Sequence, residues 1–279
     1  MVEYPPMPPA SMPPPQPILE PSVDLDVFPP AQQRRWTVLI RFILAIPHLF
    51  VLFILVLGQF VVAIIGWFGA LITGALPQWC ADYLRWTVAY TARVEGYLYL
   101  LVDEYPPFTV DTDVNYPVRV LFPAPTRLNR WAVLFRFILG FPIQVLATWL
   151  STGWMVISPI VWLIVLITGR MPAALFQATS AVLRVQIRTE SYWLMLTPTY
   201  VKQVFGDGPL PEPEAALPPG FTPVSPTRPL LVSQAGKILL WVILVLGIIW
   251  SFFNPRADFD TDDDGPTQPT HIEWPRPTP

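Results

Sequence analysis

The sequence predicts an all-α fold: a polytopic helical membrane protein built from two tandem repeats plus a C-terminal transmembrane helix. Three observations carry this. Mean hydropathy is +0.45, with 53% of residues hydrophobic and only 13% charged, whereas soluble domains are about a quarter charged. Residues recur at one offset of 95 positions without a gap. Residues 238–253, ILLWVILVLGIIWSFF, stand apart as a further strongly apolar run.

The repeat rests on residues that a general aliphatic bias does not explain. Arg35 and Trp36 match Arg130 and Trp131, and the RFIL run at Arg41 matches the one at Arg136. Pro47 matches Pro142, Gly58 matches Gly153 and Trp67 matches Trp162. LITG at Leu71 matches LITG at Leu166, and Pro77 matches Pro172. Arg93, Glu95 and Tyr97 match Arg188, Glu190 and Tyr192. A direct repeat of this kind means two copies of one structural unit.

Taken in chain order, residues 1–33 form a proline-rich tail, with eleven prolines in the first thirty positions. Proline removes backbone donors and fixes φ, which predicts an extended or disordered tether. The sharper reading is a docking segment for a proline-binding protein at residues 5–17. The N-terminal stretch has neither a basic nor an apolar signal-peptide region, so the first apolar run is expected to act as its own insertion signal. Membrane repeat 1 covers 34–110, a proline-containing linker 111–128 and membrane repeat 2 129–207. A second proline-rich linker fills 208–236, the C-terminal helix 237–254, and an acidic disordered tail 255–279.

Within repeat 1, Trp36 to Ile72 is apolar except for Arg41 and His48. That is longer than the roughly 20 residues one crossing needs. Two readings stay open. In one, the run folds into a hairpin turning near Gly58. In the other, 34–46 lies in the interface, Pro47 breaks the helix, and 48–74 crosses as one long tilted helix.

The following segment, 78–101, is amphipathic. At 100° per residue, Gln78, Asp82, Arg85, Arg93 and Glu95 share one half, and Trp79, Tyr83, Trp86, Tyr90 and Tyr97 the other. Gln177, Ser180, Arg184, Arg188 and Ser191 share a face in the second copy. A spanning helix with so many ionisable groups is costly, so an in-plane helix is favoured, with its arginines on headgroups. Basic residues flank the entry to each apolar run: Arg34 and Arg35; Arg119, Arg127 and Arg130; Lys202, Arg228 and Lys237. The positive-inside rule places all three entries in the cytoplasm. An even number of crossings per repeat then gives five in total, with the N-terminus cytoplasmic and the C-terminus extracytoplasmic.

RWTVLIRFILAIPHLFVLFIL, WFGALITGALP and EGYLYLLVDEYPPF together resemble the bacterial membrane family known as domain of unknown function 4389. The likeness covers the first copy from 34 to 110. The second copy departs from the pattern: Ile143 stands in place of the histidine, and TPTYVKQVF in place of DEYPPF. The resemblance implies an integral membrane protein and implies no activity.

Candidate chemistry is sparse. Arg93, Glu95, Arg188 and Glu190 could form charge pairs lining a path. Residues two apart on a helix diverge, so partners must come from other helices, with Arg41 and Arg136 available. The bland alternative is that Arg85, Arg93, Arg184 and Arg188 contact lipid phosphate while the glutamates stay wet. His48 could titrate as a switch, but its absence from the second copy favours local packing. Asp260, Asp262 and Asp264 begin a calcium-loop pattern that fails at its twelfth position, so this is a weak calcium candidate. One cysteine, Cys80, and two histidines make no metal cluster. No cofactor, nucleic acid partner or catalytic motif is expected. The leading functional expectation is a non-enzymatic membrane scaffold contacting the lipid bilayer. The alternative is a transporter or channel subunit with a polar path between the repeats.

Overall fold

The structure is a computed structural model that describes residues 22–109, 111, 115–207 and 225–253. In order it runs β1 (Asp24–Val27), α1 (Arg35–Thr73), α2 (Gln78–Leu98), β2 (Val118–Leu121), α3 (Arg130–Leu134), α4 (Arg136–Thr168), α5 (Ala173–Trp193) and α6 (Gln234–Phe253). α1, α4 and α6 are long and apolar enough to cross a membrane.

The 36–74 run settles as one helix. α1 has 39 residues, about 58 Å at 1.5 Å per residue. The hairpin at Gly58 does not form. LVLGQF offers no turn chemistry, and Tyr83 instead packs its ring end on Gly58 and donates to the Leu55 carbonyl at 3.0 Å. Nor does Pro47 end the helix, which continues through it. Prolines inside long apolar helices are tolerated where neighbouring groups serve the freed backbone. Tyr105 Oη donates to the Leu44 carbonyl at 3.1 Å, beside that freed position. α1 and α4 each end at a glycine: Gly74 and Gly169 adopt φ of 76° and 69°, the left-handed cap that costs glycine nothing.

α2 turns back along α1 and runs antiparallel to it. Arg41 meets Tyr97, His48 meets Tyr90, and Gly66 lies by Cys80. The opposite side of α2 carries Ala81, Leu84, Val88 and Ala92, which pack with the strands. At 100° per residue these two sets point about 180° apart. The molecule is therefore layered: a two-stranded ribbon, then α2 with α5, then the apolar α1 with α4.

The ribbon comes from segments that read as tail and linker. β1 and β2 pair antiparallel, with Leu25 opposite Val120, Asp24 opposite Leu121 and Asp26 opposite Arg119. Four-residue strands carry too little periodicity to be found beside helices of this length. Leu25 and Val120 lie 95 positions apart, and other contacts are exchanged between positions with the same offset. Trp67 donates to the Val133 carbonyl at 3.1 Å and Trp162 to the Val38 carbonyl at 2.8 Å. Leu128 N–H donates to the Gly74 carbonyl and Gln33 N–H to that of Gly169. Reciprocal exchange is the mark of a twofold axis. Here the axis passes through the ribbon and sets α1 antiparallel to α4. α6 stands outside this relation, packed on α4 and α5. It approaches α4 backbone to backbone at Gly153 and Gly247, where neither position has room for a Cβ.

Candidate functional site at the interface of the two copies

The arginines that the sequence singles out are mostly internal. Arg41 is 1% exposed and Arg136 3%, each inside a layer of apolar helices. Arg41 donates to the carbonyls of Tyr97 and Val102 at 2.8 and 3.1 Å, and meets Asp103 at 3.4 Å. Arg136 repeats this on Tyr192 and Thr197, at 2.5 and 2.6 Å. Each guanidinium also lies over a tyrosine ring, 4.4 Å from Tyr97 and 4.2 Å from Tyr192. Between the paired carbonyls sit Leu100 and Met195, with φ of 63° and 62°. A bulky residue in the left-handed region costs roughly 1–2 kcal/mol. The arginine holds the carbonyls flanking that turn, so Arg41 and Arg136 are helix-end fasteners and not partners of the glutamates.

Arg93, Arg184 and Arg188 are likewise buried, at 2%, 3% and 8% exposure. Arg93 donates to the carbonyls of Thr109 and Asp111 at 2.6 and 2.7 Å. Arg184 binds Asp207 at 2.6 Å. Arg188 donates to the Val23 carbonyl at 2.8 Å and pairs with the Asp24 carboxylate. This placement disagrees with headgroup contact for these three: the charged face of each amphipathic helix is turned inward, onto the ribbon and the loops. The physical reason is that backbone carbonyls and aspartates of the connecting segments satisfy the guanidiniums at short range. Arg85 alone is near the surface, 3.6 Å from Asp82.

The two glutamates do come together. Glu95 and Glu190 face across the contact between α2 and α5. Burial and the neighbouring Glu190 charge push the Glu95 carboxyl up to about 8. Burial also raises Glu190, opposed by the hydrogen bond it accepts from Gln59 Nε2 at 3.0 Å. Glu95 Oε2 is buried without a partner. Beside Glu190 opens a cavity of about 310 Å³ between α1, α4 and α5, lined by Gln59, Gln144, Thr148, Ser151, Gln186, Thr189 and Trp193. Of these residues, Gln59 Oε1, Thr189 Oγ1 and Trp193 Nε1 are themselves sealed off and without hydrogen-bond partners, the Trp193 ring edge lying against Gly140. Sequence reasoning missed this polar group. The available signal was a departure from the repeat: Gln59 stands where the second copy has Trp154.

His48 is wholly buried. Its Nδ1 is 2.7 Å from Tyr90 Oη, and its ring stacks on Phe108 at 4.1 Å between centroids, with Tyr105 at 4.7 Å. The IPH and YPPF segments thus close on each other, a packing role. In the second copy Ile143, Tyr192 and Val201 form an apolar cluster at the matching place. Asp260, Asp262 and Asp264, and the proline-rich segment 5–17, lie outside the described residues. Among the described residues no cluster of histidine, cysteine and carboxylate side chains could hold a metal ion.

Compared with known proteins, the chain matches a family model described as a domain of unknown function (DUF4389) twice, over residues 35–109 and 130–200. No curated protein and no solved structure matches it.

Proposed function

The chain belongs to the family described as a domain of unknown function (DUF4389), and from its layering we propose that it is a non-enzymatic membrane-organising protein that beds α1 and α4 in one leaflet. The observation that carries this is α1. Exposed apolar side chains run along it from Trp36 and Phe42 through Phe53 and Phe60 to Phe68 and Ile72. The helix is about 58 Å long, about twice the 30 Å hydrocarbon core. Crossing that core would require a tilt of about 60°, beyond the usual range of about 0–40°. Lying in plane keeps the whole apolar row in lipid. It also puts the charged ribbon, with Asp24, Asp26 and Arg119, on the water side, because the ribbon lies on the far side of α2 and α5. The in-plane helices of this reading are the apolar α1 and α4, with the amphipathic α2 and α5 above them.

Both copies then begin and end on the ribbon face, which meets the demand of the flanking arginines for an even number of crossings with none at all. α6 has 20 residues, the length of one ordinary span. In this reading it carries the chain from a cytoplasmic ribbon face to an extracytoplasmic tail. A second reading, transport along the copy interface, is favoured by one observation, the facing pair Glu95 and Glu190.

Depth measurements separate the two. Spin labels at positions 42, 53, 60 and 68, in a Cys80→Ala background, are expected to report similar, shallow depths in nanodiscs. A profile deepest at 53 and 60, with 42 and 68 emerging on opposite faces, would replace the leaflet reading by a crossing one.

A further inference from the structure

We propose that the cavity beside Glu190 is a binding site for a small primary ammonium group bearing a nearby oxygen, such as an ethanolamine moiety. The twofold relation supplies the argument. At the matching place in the other half, Tyr99 stacks on Trp154 with ring centroids 3.9 Å apart. The counterpart positions are Leu194 and Gln59, 95 residues away in either direction. Two large aromatic side chains are thus replaced by smaller ones, and the space they fill in one half is open in the other. The lining changes character as well. Gln144, Thr148 and Thr189 stand where the first copy has Leu49, Phe53 and Val94. A hollow left by chance shrinkage would keep a wholly apolar lining; this one carries glutamine, threonine and serine side chains and one carboxyl beside Ala147, Trp193 and Leu194.

The chemistry of the lining selects the ligand. It contains one carboxyl, Glu190, and no arginine, lysine or histidine, so an anion has nothing to bind. Glu190, with the side-chain oxygens of Gln144, Thr148 and Ser151 in the same lining, offers acceptors to the three N–H donors of an ammonium group. The amide N–H groups of Gln144 and Gln186 in that lining are left for an oxygen of the same ligand. A quaternary choline group has no N–H and does not fit. The ammonium could belong to free ethanolamine or to a phosphatidylethanolamine headgroup, and the volume admits either.

The full chain in phosphatidylcholine nanodiscs is titrated with ethanolamine by calorimetry. Saturable binding is expected, together with a raised unfolding midpoint. Glu190→Gln keeps the shape and should weaken binding tenfold or more. The pair Gln59→Trp with Leu194→Tyr rebuilds the aromatic stack of the other half and should abolish binding while the protein stays folded. In phosphatidylethanolamine nanodiscs, loss of ethanolamine binding identifies the lipid headgroup as the occupant, and unchanged binding identifies a soluble amine; both support the site. The proposal is overturned if wild type binds ethanolamine in neither calorimetry nor thermal unfolding, if folded Glu190→Gln binds within twofold of wild type, or if choline binds equally well.

Discussion

Arg41 and Arg136 show how a charge survives inside an apolar helix layer: each is matched to backbone carbonyls that the end of the next helix leaves unserved. Hydrogen bonds to charged groups contribute about 1.5–3 kcal/mol each. Arg41→Met is therefore expected to lower stability by at least that amount, measured by denaturant unfolding in detergent, with Arg136→Met similar. At the glutamates the expectation concerns pH. A carboxyl raised to about 8 when folded, against about 4.3 unfolded, binds more protons in the folded state across that interval. Its contribution is full below about pH 4.3, is lost as pH rises toward 8, and changes little above it. Stability should fall from pH 5 to pH 8, and Glu95→Gln should flatten that fall; an unchanged slope would remove the carboxyl as its source. The arginines predict the opposite of cross-copy pairing. Arg93 is bound to Thr109 and Asp111 carbonyls and Arg188 to Asp24. Double-mutant cycles of Arg93 with Glu190, and of Arg188 with Glu95, should give coupling near zero, while Arg188 with Asp24 should couple measurably.

Among the elements, α6 depends on a contact that only glycine permits. A Cβ at Gly153 would fall on the Ile243 carbonyl, which is backbone and cannot swing away. Gly153→Ala should cost about 1–3 kcal/mol by overpacking and loosen α6, read as faster proteolysis of the segment joining α5 to α6. Its repeat partner behaves differently. At Gly58 the obstacle is the end of the Tyr83 side chain, which can move. Gly58→Ala should be milder, and Tyr83→Phe, which removes the hydroxyl, should make it milder still. Equal losses at both positions would mean that the α4–α6 approach is looser than described. The same pair of glycines is indistinguishable in the sequence, because the difference lies in what stands opposite.

At the scale of the molecule, one face is charged and the other apolar along the axis that relates the copies. On the leaflet reading a reporter inserted near Asn115 should be cytoplasmic and one after Pro279 extracytoplasmic, since α6 supplies the only crossing among the described residues. Finding both on one side would leave α6 in plane as well. A protein wedged into one leaflet should also shrink the diameter of reconstituted vesicles as its density rises. Diameter independent of protein density would argue against a wedge.

The sequence by itself determined what depends on local composition and on comparison of the chain with itself. It showed the apolar helices and the offset relating two copies. These follow from hydropathy and from comparison of one stretch of chain with another. Only the tertiary structure decided where the charges go. An amphipathic helix has a polar face in either environment, and its sequence does not say whether lipid phosphate or the protein's own carbonyls will satisfy Arg93, Arg184 and Arg188. Likewise Gly58 could mark a turn until Tyr83 packed against it, and β1 and β2 are too short to be read without each other. The cavity beside Glu190 is legible only when the copies are superposed in space, because an opening is a relation between Gln59, Gln144 and Glu190 on three separate stretches of chain.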